Sequence, residues 1–325
     1  DARARLVEDG ERLIAGAAIV ALSAAGCARA SLVLPVRIEP ETLTAAAPPG
    51  HVTGYESAAR VIAAVMVGEL GLSLPRQFAI FVYPSRGEYE QGLVRERLMS
   101  PGRATQIAEH SVGLGQHRQL FINDEAFRGA PRSAWLSILA HELTHLAQYE
   151  LSGGWRGRSE QWLREGMAEW VASRVLERLG EGPFHHRRGQ ALRAVAKALP
   201  ALEDPLDLVV LGTPRGWATQ SVRSGGRFTY GLACLLTDDL IRRCGFESLM
   251  AYFRAFADSD DRVGHFQRAF GRSVEEFQTA ALQQLRTDLE RWQREAADAP
   301  VSMPDAGREA RIFEGLEEED IGDRD

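Results

Sequence analysis

The sequence predicts an α+β fold in which a small mixed α/β lobe precedes a mostly helical lobe. Three observations carry this expectation. Strand-like apolar segments are confined to the first 130 residues. From Pro131 onward apolar residues recur at helical spacing, segment after segment. No internal repeat or phosphate-cradling glycine motif is present. The chain has 325 residues, 45% of them hydrophobic and 26% charged, which excludes a disordered or collagen-like chain as a whole. Three cysteines exclude a disulfide framework. There is no apolar run of 18 or more residues of the kind that spans a membrane. The net charge is −7, and residues 304–325, with nine acids and three arginines, account for −6 of it. That net charge argues against nucleic acid as the main partner, and it leaves the rest of the chain nearly neutral.

The elements follow in order. Residues 1–30 contain an apolar run, Leu13–Ala25, preceded by Arg3, Arg5 and Arg12 and followed by Ala24-Ala25-Gly26-Cys27. This reads as a secretory signal ending in a lipoprotein-type box, with a lipid on Cys27 as the expected membrane attachment and the bacterial cell envelope as the expected location. The acidic Glu8, Asp9 and Glu11 favour the alternative, a short buried helix in a cytoplasmic protein. Residues 31–39 and 77–83 read as strands flanking a helix over Ser57–Leu70. Segments 107–114 and 119–123 read as a hairpin across Gly115–Arg118, completing an α/β lobe over residues 31–130. The helical lobe, residues 131–303, holds helices near 132–150, 160–179, 186–198, 228–244, 246–256 and 273–295. Cys234 and Cys244 fall on one of these, about 15 Å apart along its axis, and read as separate core thiols. Residues 304–325 read as an acidic, disordered tail.

The chemistry is concentrated in His141-Glu142-Leu143-Thr144-His145, an HExxH motif. Histidines at i and i+4 lie one turn apart on the same side of a helix, so both imidazoles can reach one metal ion, with Glu142 placed to touch a water there. The surrounding helix is apolar on most sides. One polar stripe interrupts it, made of Ser137, His141, Thr144, His145 and Gln148. Buried polar groups need partners, and a metal supplies one for both histidines. The plainer alternative is a pair of core histidines bonded to backbone carbonyls.

A second motif, Trp162-Leu163-Arg164-Glu165-Gly166-Met167-Ala168-Glu169-Trp170, follows a glycine loop at Gly153, Gly154 and Gly157. The loop lets this helix cross back beside the first, and Glu165 then completes a His₂Glu set for one zinc ion. Gly166 permits close helix approach. Glu169, one turn on, is placed to accept a hydrogen bond from a ligand histidine. The alternative for both glutamates is a solvated helix face. His185-His186 reads as a solvated helix start, and no second metal site is expected.

HELTH followed by WLREGMAEW resembles the gluzincin metallopeptidases of the peptidase MA-like group, specifically over residues 135–175. The resemblance implies a zincin-like fold, zinc on His141, His145 and Glu165, and catalysis by Glu142. It also implies a tyrosine or histidine from a downstream helix that stabilises the developing oxyanion. Tyr230 is the candidate, against the alternative of a core tyrosine. It further implies an edge strand beside the HExxH helix on which an extended peptide lies, here Leu120–Asn123. The G-x-M-E-N strand of aminopeptidases is absent, and so is the long HExxHxxGxxH of metzincins. The expected function is hydrolysis of a peptide or protein by a metal-activated water, with Glu142 as general base. A zinc amidohydrolase acting on a non-peptide amide needs the same groups. A non-catalytic, peptidase-like binding domain has no need of Glu142.

Overall fold

The computed structural model describes residues 30–38, 52–155, 158–199 and 206–298. The signal and Cys27 readings, and the acidic tail, lie outside these residues. The fold is α+β, with a four-stranded mixed sheet and a larger helical part.

Strand β1 (Leu32–Arg37) pairs antiparallel with β2 (Gln77–Tyr83). Between them runs α1 (Tyr55–Gly68). Its start is set at Gly54, whose N–H donates to Ser57 Oγ at 3.1 Å. From β2 the chain passes through α2 (Arg86–Arg97) and α3 (Pro101–His110) to β3 (Gly113–Gln116). A two-residue turn, with Arg118 at φ 59°, returns it as β4 (Gln119–Asn123). The sheet order is β1-β2-β4-β3, with β4 parallel to β2 and antiparallel to β3.

The strand alternation builds two cores. Ile80, Val82, Leu120 and Ile122 face the main core with α1 and the first helix of the helical part. Phe81, Tyr83, Leu114 and Phe121 face a smaller core under α2 and α3, where Phe81 and Phe121 stack at 4.8 Å. A sheet buried on both faces explains why its strands read as near-continuous apolar runs.

Two expectations are corrected here. Residues 107–110 close α3 and do not belong to the hairpin, which pairs only 113–116 with 119–123. Strand 120–123 is not an edge: β4 is hydrogen-bonded to β2 on one side and β3 on the other. The hairpin carries β3 to the outside, where it is one of the two end strands, β1 being the other. Order along the chain does not reveal which arm of a hairpin lies outside when the incoming connection crosses over the sheet.

The helical part contains α4 (Arg132–Leu151), α5 (Gln161–Arg178), α6 (Phe184–Ala198), a single turn α7 (Leu208–Leu211), α8 (Pro214–Ser224), α9 (Gly226–Cys244), α10 (Phe246–Arg254), α11 (Arg262–Phe270) and α12 (Val274–Asp298). α4 ends at Gly153 and Gly154, both at positive φ (68° and 88°), a conformation that glycine adopts without steric cost. α5 is fixed from behind: Trp162 stacks on Phe277 of α12 at 5.7 Å and meets Phe266 of α11. At Gly166 a Cβ would overlap the Ala233 carbonyl oxygen and Thr237 of α9, so glycine is what allows these helices to touch. Arg188 of α6 bridges Asp238 of α9 (3.1 Å) and Asp288 of α12, and Trp170 of α5 donates to Asp238 (3.1 Å). Cys234 is buried, Cys244 half-buried, and both are free thiols on α9. Among the described residues no helix is long and apolar enough to cross a membrane.

Candidate metal centre

α4 is buried nearly all round, and its polar stripe is buried with it: Ser137, His141, Thr144, His145 and Gln148 are each at most 3% exposed. Thr144 satisfies itself by donating to the Ala140 carbonyl at 2.8 Å. The two histidines turn toward α5. His141 Nε2 lies 3.1 Å from His145 Nε2, and Glu165 Oε2 lies 3.2 Å and 3.5 Å from these two atoms. His141, His145 and Glu165 are all buried, and among the described residues they form the one cluster of three or more metal-type donors.

The opposite edge of each ring has its own partner. His141 Nδ1 lies 2.9 Å from Glu169 Oε1. His145 Nδ1 lies 2.9 Å from Gln148 Oε1. Gln148 is oriented unambiguously, because its Nε2 donates to the Arg164 carbonyl (2.9 Å) and Arg164 donates to its Oε1 (3.2 Å). With a carboxylate and an amide oxygen as partners, each Nδ1 is the protonated nitrogen. Both Nε2 lone pairs then face each other and a carboxylate oxygen. Three acceptors converge on one point, an arrangement that is repulsive until a cation joins them. Tetrahedral ligation with bonds of about 2.0–2.1 Å sets neighbouring donors roughly 3.3 Å apart. The separations of 3.1, 3.2 and 3.5 Å match that spacing, and two imidazoles with one carboxylate form a donor set suited to zinc. The residues therefore fit the ion.

The titration behaviour agrees with this geometry. Burial alone would depress the His141 pKa, but the carboxylates of Glu165, Glu169 and Glu142 outweigh it and hold it well above the usual histidine range. Burial alone would raise the Glu165 pKa, but His145 and His141 outweigh it and hold it well below the usual carboxylate range. A proton on His141 does in part what a cation would do.

Glu142 is 2% exposed and sits against the end strand β3. A Cβ at Gly113 would lie 2.9 Å from its Oε1, and one at Gly115 would overlap its backbone carbonyl oxygen. The two glycines let β3 lie directly on the HExxH turn. Asn123 N–H donates to the Val112 carbonyl at 2.9 Å, so residues 112 and 114 point their backbone groups at β4. Gly113 and Gly115 then point theirs away from it. The outward Gly113 carbonyl accepts from Ser111 Oγ.

Tyr230 of α9 is placed beside the cluster. Its ring lies 6.0 Å from that of His141 and is held edge-on by Trp217 of α8 at 5.0 Å. Glu165 is buried, and the Glu169 side chain is 15% exposed. Neither lies on a solvated face. His185 and His186 are exposed at the start of α6.

Sequence reasoning named Gln148 in the stripe without a role and passed over Gln161, whose Nε2 donates to Glu165 Oε1 at 2.9 Å. Both carry a sequence signal: each stands three or four residues from a ligand, on its helical face. Gly113 and Gly115 carry none, because their meeting with Glu142 depends on strand placement.

No family model matches the chain, no curated protein matches it, and no solved structure matches its fold.

Proposed function

We propose that the chain is a zinc-dependent metallopeptidase of zincin-like architecture. One observation carries the reading: three buried donors meet at metal-ligand spacing, and the acidic residue between the two histidines lies against the end strand β3. A structural zinc site has no need of that acid or of a neighbouring strand edge.

His141, His145 and Glu165 would hold the ion, leaving a position for water. When bound, zinc supplies Lewis acidity, lowering a water's pKa to about 7 and polarising a carbonyl. Glu142 takes the proton of the attacking water and delivers it to the leaving amine. Tyr230 is the candidate donor for charge developing on the carbonyl oxygen. The substrate backbone lies extended along β3, the role that the family resemblance gives to Leu120–Asn123.

The test is digestion of a mixed peptide library by zinc-loaded protein, with Glu142→Gln in parallel and zinc content measured on both. Loss of a general base costs roughly 10²–10⁴-fold. The expected result is cleavage by the wild type, a loss of that order in the variant, and equal zinc in both. Wild type and variant alike inert, with zinc bound, would overturn the peptidase reading and favour a non-peptide amide substrate or a binding role.

A further inference from the structure

A cavity of about 450 Å³ lies apart from the metal centre, lined among others by Tyr55, Asp124, Phe127, Arg128 and Trp135. That volume suits a small ligand. Trp135 precedes His141 by six residues, so it sits about 9 Å away along α4 and about a third of a turn round it. The cavity lining named here shares no residue with the donor cluster.

Three of the walls are aromatic, and they are not flat against one another. Tyr55 and Trp135 meet edge to face, with centroids 5.3 Å apart and planes 65° apart. Gly129, at φ 73°, turns the chain between Phe127 and α4 and leaves the space open at that point. The polar groups differ in what they offer. Arg128 lines the cavity with its guanidinium already engaged: Nη2 donates to the Pro84 carbonyl (2.6 Å) and Nη1 to Glu125 (3.4 Å). Asp124 is instead held in place by the Tyr55 hydroxyl, which donates to its Oδ1 at 2.7 Å. Burial, and then this hydrogen bond, lift the Tyr55 phenol above its ordinary range, so it remains a donor. Aromatic faces carry negative potential, and with a carboxylate among them they favour a positively charged guest.

We propose that this cavity binds an organic ammonium group, seated among Tyr55, Phe127 and Trp135 and paired with Asp124. The ammonium could belong to a free small molecule or to a polypeptide side chain, and the experiment separates these sources.

The full chain, labelled at its tryptophan indole nitrogens, is titrated in an NMR experiment with choline, with 3,3-dimethylbutanol (its neutral isostere) and with Nα-acetyl-lysine amide. Saturable shifts of the Trp135 indole resonance are expected for at least one of the two cations. The isostere should bind at least tenfold more weakly. Asp124→Asn, checked for native far-UV circular dichroism, should weaken the cation about tenfold. Choline alone would identify a free quaternary ammonium as the guest, and the lysine amide alone would identify a polypeptide side chain. No saturable shift with either cation would overturn the proposal. Equal binding of choline and its neutral isostere would also overturn it, because the cavity would then be merely apolar. That comparison uses wild-type protein, so it decides even if the variant fails to fold.

Discussion

At the residue scale, the site depends on atoms one bond further out than the three donors. Gln148 fixes the His145 ring, and Glu169 fixes the His141 ring, through the nitrogens that face away from the cluster. Such partners set the tautomer and the aim of a ligand, and losing one typically costs 10–100-fold in metal affinity. Gln148→Ala should therefore weaken zinc binding by about that factor in a chelator competition, with the fold retained. Affinity equal to wild type would mean that the buried hydrogen bond does not orient His145. Glu169→Gln should have a smaller effect, because an amide oxygen can still accept from Nδ1. The two glutamates four residues apart are thus not equivalent: Glu165 contributes an oxygen to the donor cluster, and Glu169 holds a ring.

At the element scale, glycines set how closely helices and strands approach. Replacing a helical glycine by alanine normally gains about 1 kcal/mol of helix propensity. At Gly166 the added Cβ would overlap a backbone carbonyl of α9, which cannot rotate away as a side chain can. Overpacking costs typically 1–3 kcal/mol, so the steric effect wins. Gly166→Ala should lower stability by about 1–2 kcal/mol in a denaturant titration, and should weaken zinc binding because Glu165 moves with α5. Gly115→Ala acts on another contact, pushing β3 off the Glu142 backbone. It should leave zinc affinity near wild type while lowering kcat/KM on a peptide substrate. Zinc loss in Gly115→Ala matching that in Gly166→Ala would show that the two contacts are not separable.

At the scale of the whole molecule, the start of α5 is tied to distant elements by one buried acid. Glu160 is 1% exposed; Arg262 of α11 lies 3.0 Å from its Oε1, while its backbone N–H donates to Tyr252 of α10 at 2.8 Å. Its Oε2 is buried without a hydrogen bond and packs against Gly212, where a Cβ would displace it. Burial raises its pKa to about 7, against the lowering by Arg262 and with a further rise from Glu275. The folded pKa lies above the unfolded one, so the fold favours the protonated acid. That contribution is complete below about pH 4.5 and is lost as pH rises through 7, a total of about 3 kcal/mol. Melting temperature should therefore fall by several degrees from pH 5 to pH 8, and Glu160→Gln should flatten that slope. An unchanged slope in the variant would locate the pH dependence elsewhere.

The sequence by itself determined the helices with wide apolar faces, strands β1, β2 and β4, and the pairing of His141 with His145, because periodicity and short spacing act within one element; it also marked Glu165, on the next helix, as the third member of the cluster. Thin-faced α2, which buries only Tyr89, Gly92 and Leu93, was not legible, since its charged surface masks so narrow a stripe. α8 and α11 were not legible either, although α10, with nine residues, was. Only the tertiary structure decided that β3, not Leu120–Asn123, is an end strand, that Gly113 and Gly115 rest on Glu142, and that Tyr230 stands beside His141. The same holds for the cavity among Tyr55, Phe127 and Trp135, and for the tie from Glu160 to Arg262. Each of these joins residues tens of positions apart or depends on sheet order. Local patterns of charge and hydrophobicity specify which face of an element is buried, but not which partner covers it.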